Sequence, residues 1–195
     1  MRFAAPLVET PTPASILAVL EPQATAPICT SETVRAEVRA LLRHGGFKPA
    51  GRSKPASEYL HAVHEDGAFP AINAAVDTCN AVSLHSGLPI SLVDVERVEG
   101  PLRIAIAPPG TSYVFNPSGQ VIDVGGLVCL FDARGPTGTP VKDAQRTKTH
   151  DGTRAALAVV WGTRALPGRT AKAIAWYREL AAAIPGAAIE DVTLA

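Results

Sequence analysis

The chain has 195 residues, 47% of them hydrophobic and 18% charged, with 18 basic against 18 acidic side chains. That length carries one well-buried domain, and the balance is globular, which excludes intrinsic disorder over most of the chain. A formal net charge of zero excludes a polybasic role, so nucleic acid or an anionic membrane would have to be held by a local patch.

In chain order, the short apolar run at residues 15–20 (SILAVL) suits a first strand, and a loop through Gln23 follows. Val34, Val38, Leu41 and Leu42 then share one helical face, with Thr30 or Ser31 as cap and Gly45-Gly46 as terminator, which predicts a helix over residues 31–44. Ser53-Lys54-Pro55 opens a second helix, carrying Tyr59, Leu60 and Val63, to about Glu65. Ile72, Val76, Cys79 and Val82 set a third, stopped by Gly87-Leu88-Pro89. Beyond Pro89 the period shortens to two: ISLVDV, LRIAIA, SYVF, QVIDV and LVCLFD predict antiparallel strands separated by Gly, Pro, Asn and Asp. Residues 134–153 form a long polar stretch, expected to be a functional or mobile loop. ALAVVW gives another strand, residues 170–184 a helix burying Ile174, Tyr177, Leu180 and Ile184, and AIEDVTL a last strand. Helices early and strands later indicate an α+β fold, not a doubly wound one.

Cys29, Cys79 and Cys129 are odd in number, far apart and without a Cys-x-x-Cys pair. They spell neither a disulfide framework nor a zinc site, and reduced cytoplasmic thiols are expected. The longest apolar run, residues 155–161, has seven residues, against the roughly 20 of a spanning helix, so the chain is expected to be soluble. Ala24-Thr25-Ala26 imitates a signal-peptidase site, but Glu9, Pro6, Pro11 and Pro13 break the apolar region that a secretory leader needs.

His61 and His64 stand three apart near Asp66. Without a third ligand in the sequence, a solvated helix face describes them better than a metal site. Neither Gly-Gly pair leads into a phosphate-binding loop, and no Gly-x-Ser-x-Gly elbow is present. Local charge says more than the total. Arg35, Arg39, Arg43, Lys48, Arg52 and Lys54 face only Glu37, while Arg134, Lys142, Arg146, Lys148 and Arg154 face Asp143 and Asp151. Brought together, the two basic segments could hold a few phosphates; apart, they are solvated faces.

The most informative stretch is residues 52–94. Pro55 with Tyr59-Leu60, then Val76-Asp77-Thr78-Cys79-Asn80-Ala81, then Gly87-Leu88-Pro89-Ile90-Ser91-Leu92-Val93-Asp94 resemble the pattern of the tRNA-binding and editing domain in the β subunit of bacterial phenylalanyl-tRNA synthetase and its freestanding relatives. That pattern runs Ser-Pro-x-x-Leu, Val-Asp-x-Thr-Asn-Tyr and Gly-Gln-Pro-x-His-x-x-Asp, and the spacing from Asn80 to Gly87, Pro89 and Asp94 matches without a gap. The resemblance covers residues 30–165, weakening through Arg146 and Thr147. Ser91 stands where the family has a histidine, Cys79 where it has threonine and Ala81 where it has tyrosine.

The resemblance implies a single domain over residues 1–195, with an antiparallel β-barrel-like core decorated by helices. Because the synthetase domain hydrolyses mischarged tyrosyl-tRNA, it also implies a freestanding hydrolase that deacylates a mischarged aminoacyl-tRNA in trans. The expected partner is the tRNA 3′ end, with no DNA, membrane, cofactor or metal. Asn80 is then the residue that orients water or the ester carbonyl, with Ser91 and His85 lining a catalytic pocket. Arg52, Ser53, Asp77, Cys79, Arg146 and Thr147 bind substrate. Asp77 has a second reading as a helix brace, and Asn80 as a helix-to-loop hydrogen-bonding residue. The alternative function is a binding module that holds a tRNA end, amino acid or nucleoside without turnover, which the exchange to Ser91 favours. Hydrolysis of a small ester or amide is a third.

Overall fold

The computed structural model describes residues 1–21, 24–65 and 69–192, with the Arg52 side chain outside the described part. Asp66, and the last residues of the expected terminal strand, lie outside it too. Among the described residues a helical block precedes a set of small antiparallel sheets: α1 (Ala14–Ala18), α2 (Glu32–Arg43), α3 (Ala56–Glu65) and α4 (Ala74–Ser86) come before all strands but β1 (Arg2–Phe3). The strands β2 (Ile90–Asp94), β3 (Arg103–Ile106), β4 (Ser112–Val114), β5 (Val121–Asp123), β6 (Val128–Asp132), β7 (Gly135–Gly138) and β8 (Ala156–Val160) follow. The helix α5 (Arg169–Ala182) and the strand β9 (Ala187–Ala188) close the order.

β2 pairs with β8, β3 with β6 and β6 with β7, β4 with β5, and β1 with β9, all antiparallel. The fold is therefore α+β with antiparallel sheets. The expected barrel-like core is not closed: the described strands make four separate sheets of two or three strands. Strands of two to five residues give ladders too short to curl one sheet onto itself.

The centre of the molecule is α4, ten of whose thirteen residues are buried. It packs on α5, α3, α1 and β2. Ala74, Ala75, Ala81, Ser83 and Ser86 let those neighbours approach on several sides, which is why this helix shows no narrow apolar stripe. Its ends are defined in the sequence. The Asn73 side chain accepts from the Val76 N–H at 3.0 Å, and Gly87 takes φ +68° at the other end. A Cβ on Gly87 would come within 2.4 Å of Thr30 Oγ1 and 2.9 Å of Val34 Cγ1. Gly87→Ala is therefore expected to cost about 2–4 kcal/mol, adding left-handed strain to overpacking. A urea midpoint equal to that of the parent chain would contradict this.

Three expectations are corrected. Residues 15–20 lie largely in α1, not in a strand: the Pro13 carbonyl accepts from the Ile16 and Leu17 N–H groups, and one turn of helix suffices to bury Ile16 and Leu20. Residues 134–153 are not a loose loop. β7 extends the β3–β6 sheet, a 3-10 turn spans Gln145–Thr147, and Thr137, Thr139, Thr147 and Thr153 are buried. The polar character that suggests a mobile loop is here an internal hydrogen-bond network. On α5 the buried face uses Ala173, Trp176, Tyr177, Leu180 and Ala181, while Ile174 is exposed. Among the described residues no helix is long and apolar enough to cross a membrane.

Candidate functional site

The resemblance directs attention to α4 and β2, and these two elements do pack against each other. Asn80 is half-buried near the middle of α4, with no side-chain hydrogen bond to a described residue. At 100° per residue it shares a face with Ser83, whose hydroxyl donates to the Leu88 carbonyl at 2.8 Å, at the entrance to β2.

Ser91, on β2, is wholly buried. Its hydroxyl donates to the Thr139 carbonyl at 3.0 Å and accepts from Trp161 Nε1 at 2.8 Å, so it is an internal link between β2, β8 and the segment after β7. His85 lies elsewhere. It is five residues past Asn80 on α4, about 140° around the helix; its ring N–H donates to the Val19 carbonyl at 2.7 Å. The ring also meets Trp176 edge-on, with centroids 5.6 Å apart. The structure thus places Ser91 beside the α4–β2 seam and His85 against α1 and α5, and brings the two into no described contact.

The expected substrate-binding residues divide in the same way. Asp77 is fully buried and accepts from Thr12 Oγ1 at 2.6 Å and the Ile72 N–H at 2.9 Å, the geometry of a brace for the first turn of α4. The Cys79 thiol, 3.3 Å from the Tyr177 hydroxyl, is pushed by burial up to about 12, far from a thiolate nucleophile. Arg146 makes a two-pronged pair with Asp132 at 2.7 Å on both arms, and Thr147 is buried with its hydroxyl directed at the Thr137 and Ala144 carbonyls. Ser53 sits in a 3-10 turn at Gly51–Ser53, just ahead of α3. The Arg52 side chain lies outside the described part.

What the fold does bring together are the start of α3, which follows the first basic segment, and the second basic segment. The Ala56 N–H donates to the Pro140 carbonyl at 2.9 Å, seating the start of α3 on the segment after β7. Lys142 Nζ stands 4.0 Å from the centroid of the Phe115 ring and 5.9 Å from that of Tyr59. The Tyr59 hydroxyl donates to the Gly51 carbonyl at 3.2 Å, and Lys148 Nζ to the Phe115 carbonyl at 2.6 Å. Two aromatic faces with an ammonium between them lie beside Lys148, whose pKa burial lowers. Much of the remaining positive charge is neutralised: Arg35 pairs with Glu32, Arg39 with Glu58, Arg134 with Glu99 and Arg146 with Asp132.

Asp143 stands under this cluster. Its carboxylate accepts from the Leu92 N–H at 2.9 Å and the Thr139 N–H at 3.2 Å, and burial pushes its pKa up to about 6. On the α4 side its charge reaches the Cys79 thiol, one residue before Asn80. Lys142 was legible in the sequence only as one charge of the second basic segment, and Asp143 only as a charge opposing it. The alternating Thr137 and Thr139 were the available sign of extended, ordered backbone there. Tyr59 and Phe115 were visible only as members of a helix and a strand.

Two open grooves lie away from this seam. One of about 450 Å³ runs between β8 and α5 past Leu102, Leu157, Ile174, Tyr177 and Val192. The other, of about 470 Å³, is built largely from Gly45, Gly46, Pro108, Pro109, Gly125 and Gly126. Neither is lined by Asn80, Ser91 or His85. Among the described residues no cluster of His, Cys, Asp and Glu could hold a metal ion. Neither known protein families nor characterised proteins give a match to the chain.

Proposed function

We propose that the chain is a trans-acting hydrolase that deacylates mischarged aminoacyl-tRNA, built on the editing-domain pattern of the phenylalanyl-tRNA synthetase β subunit. The observation that carries the reading is the placement of the Lys142 ammonium 4.0 Å from the Phe115 ring centroid and 5.9 Å from that of Tyr59, in the second basic segment, whose Asp143 accepts from the Leu92 N–H of β2. An exposed nucleotide end is held by aromatic faces on which bases stack and by cations that meet phosphate. Beside it lies the α4–β2 seam, whose spacing of Asn80, Gly87, Pro89 and Asp94 resembles the family pattern.

The chemistry asks little of the protein. Water adds to the ester carbonyl, the bond from the acyl carbon to the ribose oxygen breaks, and amino acid and a free terminal hydroxyl leave. Such an ester needs a placed water and donors for the developing oxyanion, each worth about 10²–10³ in rate. Asn80, with its amide uncommitted to a described partner, fills one such place. No thiolate or histidine base is required, which fits the raised Cys79 thiol and the remote His85.

A second reading, a module that grips a tRNA end without turnover, is favoured by Ser91: its hydroxyl is committed to Thr139 and Trp161. Both readings are tested by binding of mischarged tRNA to the purified chain across a salt series. Log affinity is expected to fall by roughly 0.7–0.9 per phosphate contact per log unit of salt. Amino acid released from the bound tRNA supports the hydrolase, retention supports the module, and no binding at low salt removes both.

A further inference from the structure

The strand β8 is paired along the whole of one edge and only part of the other. At the two ends of its ladder with β2, the Trp161 N–H donates to the Pro89 carbonyl and the Val95 N–H to the Ala155 carbonyl. The odd-numbered residues of β8 therefore turn their N–H and C=O groups towards β2, while Ala156, Ala158 and Val160 turn theirs the other way. At Ala156 that outer edge is taken: its N–H donates to the Met1 carbonyl at 2.9 Å and its carbonyl accepts from the Met1 ammonium at 2.9 Å. At Ala158 and Val160 the edge is open, with no hydrogen bond to a described residue.

That open edge faces the groove of about 450 Å³, which Ala158, Val160 and residues 188–192 all line. The groove continues the line of β1, which lies between β8 and β9 and runs antiparallel to both: Arg2 faces Ala155 on one side and Ala188 on the other. No described residue carries β1 past Met1, whereas β8 runs on to Val160 and the chain after β9 runs on to Val192. Both faces of the groove are apolar. Ala158 and Val160 pack on the main core with Tyr177 of α5, while Leu157, which points the opposite way, packs on the smaller cluster with Leu102. At the rim Arg178 is already paired with Asp191 at 2.6 Å.

We propose that this groove takes an extended, uncharged apolar segment of a partner protein, about four residues long, added to β8 as a strand in line with β1. The inference goes beyond the deacylase reading and does not rest on it. An open strand edge is answered by another main chain, whose hydrogen bonds give affinity while side-chain contacts give selectivity. The register that Met1 sets on Ala156, carried forward, makes the segment's partners of Ala158 and Val160 hydrogen-bonded pairs. Apolar walls on both faces select a continuous run of Val, Ile or Leu rather than an alternating one. A small apolar molecule would fill the groove and leave those N–H and C=O groups unanswered. The walls formed by α5 and residues 189–192 admit a slender segment and obstruct the sheet edge of a second folded copy.

The test is residue-resolved amide hydrogen exchange of the full chain with acetyl-Thr-Val-Ile-Val-Thr-amide at up to about 1 mM, against the same peptide N-methylated at its central residues. The unmodified peptide is expected to slow exchange at Ala158 and Val160 by at least about tenfold, and the methylated one to leave both unchanged. Ala158→Pro removes one outward N–H without touching the ladder to β2, and is expected to abolish the slowing at Val160. Should that variant fail to fold, the comparison of the two peptides on the parent chain decides. No slowing by the unmodified peptide would overturn the inference, and equal slowing by both would show a cleft that reads side chains alone and overturn it too. Protection of Ala158 and Val160 already present in the free chain would assign the edge to the chain's own residues 193–195, or to a second copy if it grows with chain concentration; either result overturns the proposal.

Discussion

Asn80→Ala is expected to lower the deacylation rate by about tenfold or more while leaving the unfolding midpoint within the range of a surface substitution. The two halves of that expectation have separate grounds. Asn80 is half-buried and its amide has no hydrogen bond to a described residue, so truncation strands no internal partner. Alanine is also the better helix former at a position inside α4. On the proposed mechanism, the rate loss follows from removing a donor or acceptor that would orient the water or the ester carbonyl. Neighbouring positions behave in the opposite way. Asp77 is buried against Thr12 and Ile72, and its removal would cost stability before it revealed anything about rate. An unchanged rate in a folded Asn80→Ala protein would take Asn80 out of the mechanism.

A stability effect as large as that of Gly87→Ala is expected at Arg146. The Asp132 side chain has no exposure and accepts both arms of the Arg146 guanidinium at 2.7 Å, with the Glu99 and Arg134 N–H groups at 3.1 and 2.9 Å. Burial alone would raise this carboxyl, but Arg146 and the two amides outweigh it and bring the pKa down to about 2. Arg146 also donates to the Gly135 carbonyl at 3.1 Å, so it pins the β6–β7 turn. Arg146→Ala leaves a buried carboxylate to the amides alone, which costs about 3 kcal/mol at neutral pH. For a domain of this length that lowers Tm by roughly 6–12 °C.

The sign of the pH dependence is fixed by the depressed folded pKa, about 2 against a reference of 3.8. Stability from the pair is fully present above the unfolded value and is lost as pH falls from about 4 towards about 2. Melting curves of the parent and Arg146→Ala are therefore expected to draw together below about pH 4 and to converge only as pH falls to about 2. A deficit that persists undiminished there would show that the arginine acts through packing and the Gly135 carbonyl rather than through its charge.

The elements legible in the sequence were those with explicit boundary chemistry. Ser31 caps α2 by accepting from the Val34 N–H at 3.3 Å, and Gly87 ends α4, so the periodic stretches between such residues became helices as expected. The β-rich runs paired as antiparallel strands because Gly, Pro, Asn and Asp punctuate them. The six-residue run SILAVL carried no such boundary and is too short for its period to separate strand from helix. In residues 134–153 a polar composition suggested exposure, yet Thr137, Thr139 and Thr147 are buried because their hydroxyls bond to nearby backbone.

The candidate site was legible only in part, for a related reason. Asn80 and Ser91 were singled out by the family resemblance, which rests on the spacing around them. That Trp161, seventy residues away, would occupy the Ser91 hydroxyl depends on the β2–β8 register, which local pattern does not encode. His85 illustrates the converse: closeness to Ser91 in sequence says nothing of direction, and one helix separates their surroundings. The Lys142 sandwich and the Asp143 carboxylate arise from the docking of α3, β4 and the segment after β7, a three-body arrangement that no single stretch announces.

The central claim is that the seam between α4 and β2, with the aromatic and basic cluster beside it, turns over an esterified tRNA end. Its most direct measurement is the single-turnover rate of amino-acid release from a full panel of mischarged tRNAs, with and without the purified chain. The account predicts that a small subset is hydrolysed at least about 100-fold faster than in buffer, consistent with one or more oxyanion donors, and that correctly matched tRNAs are spared. Release at the buffer rate from every member, with the protein folded and the tRNA bound, would contradict it.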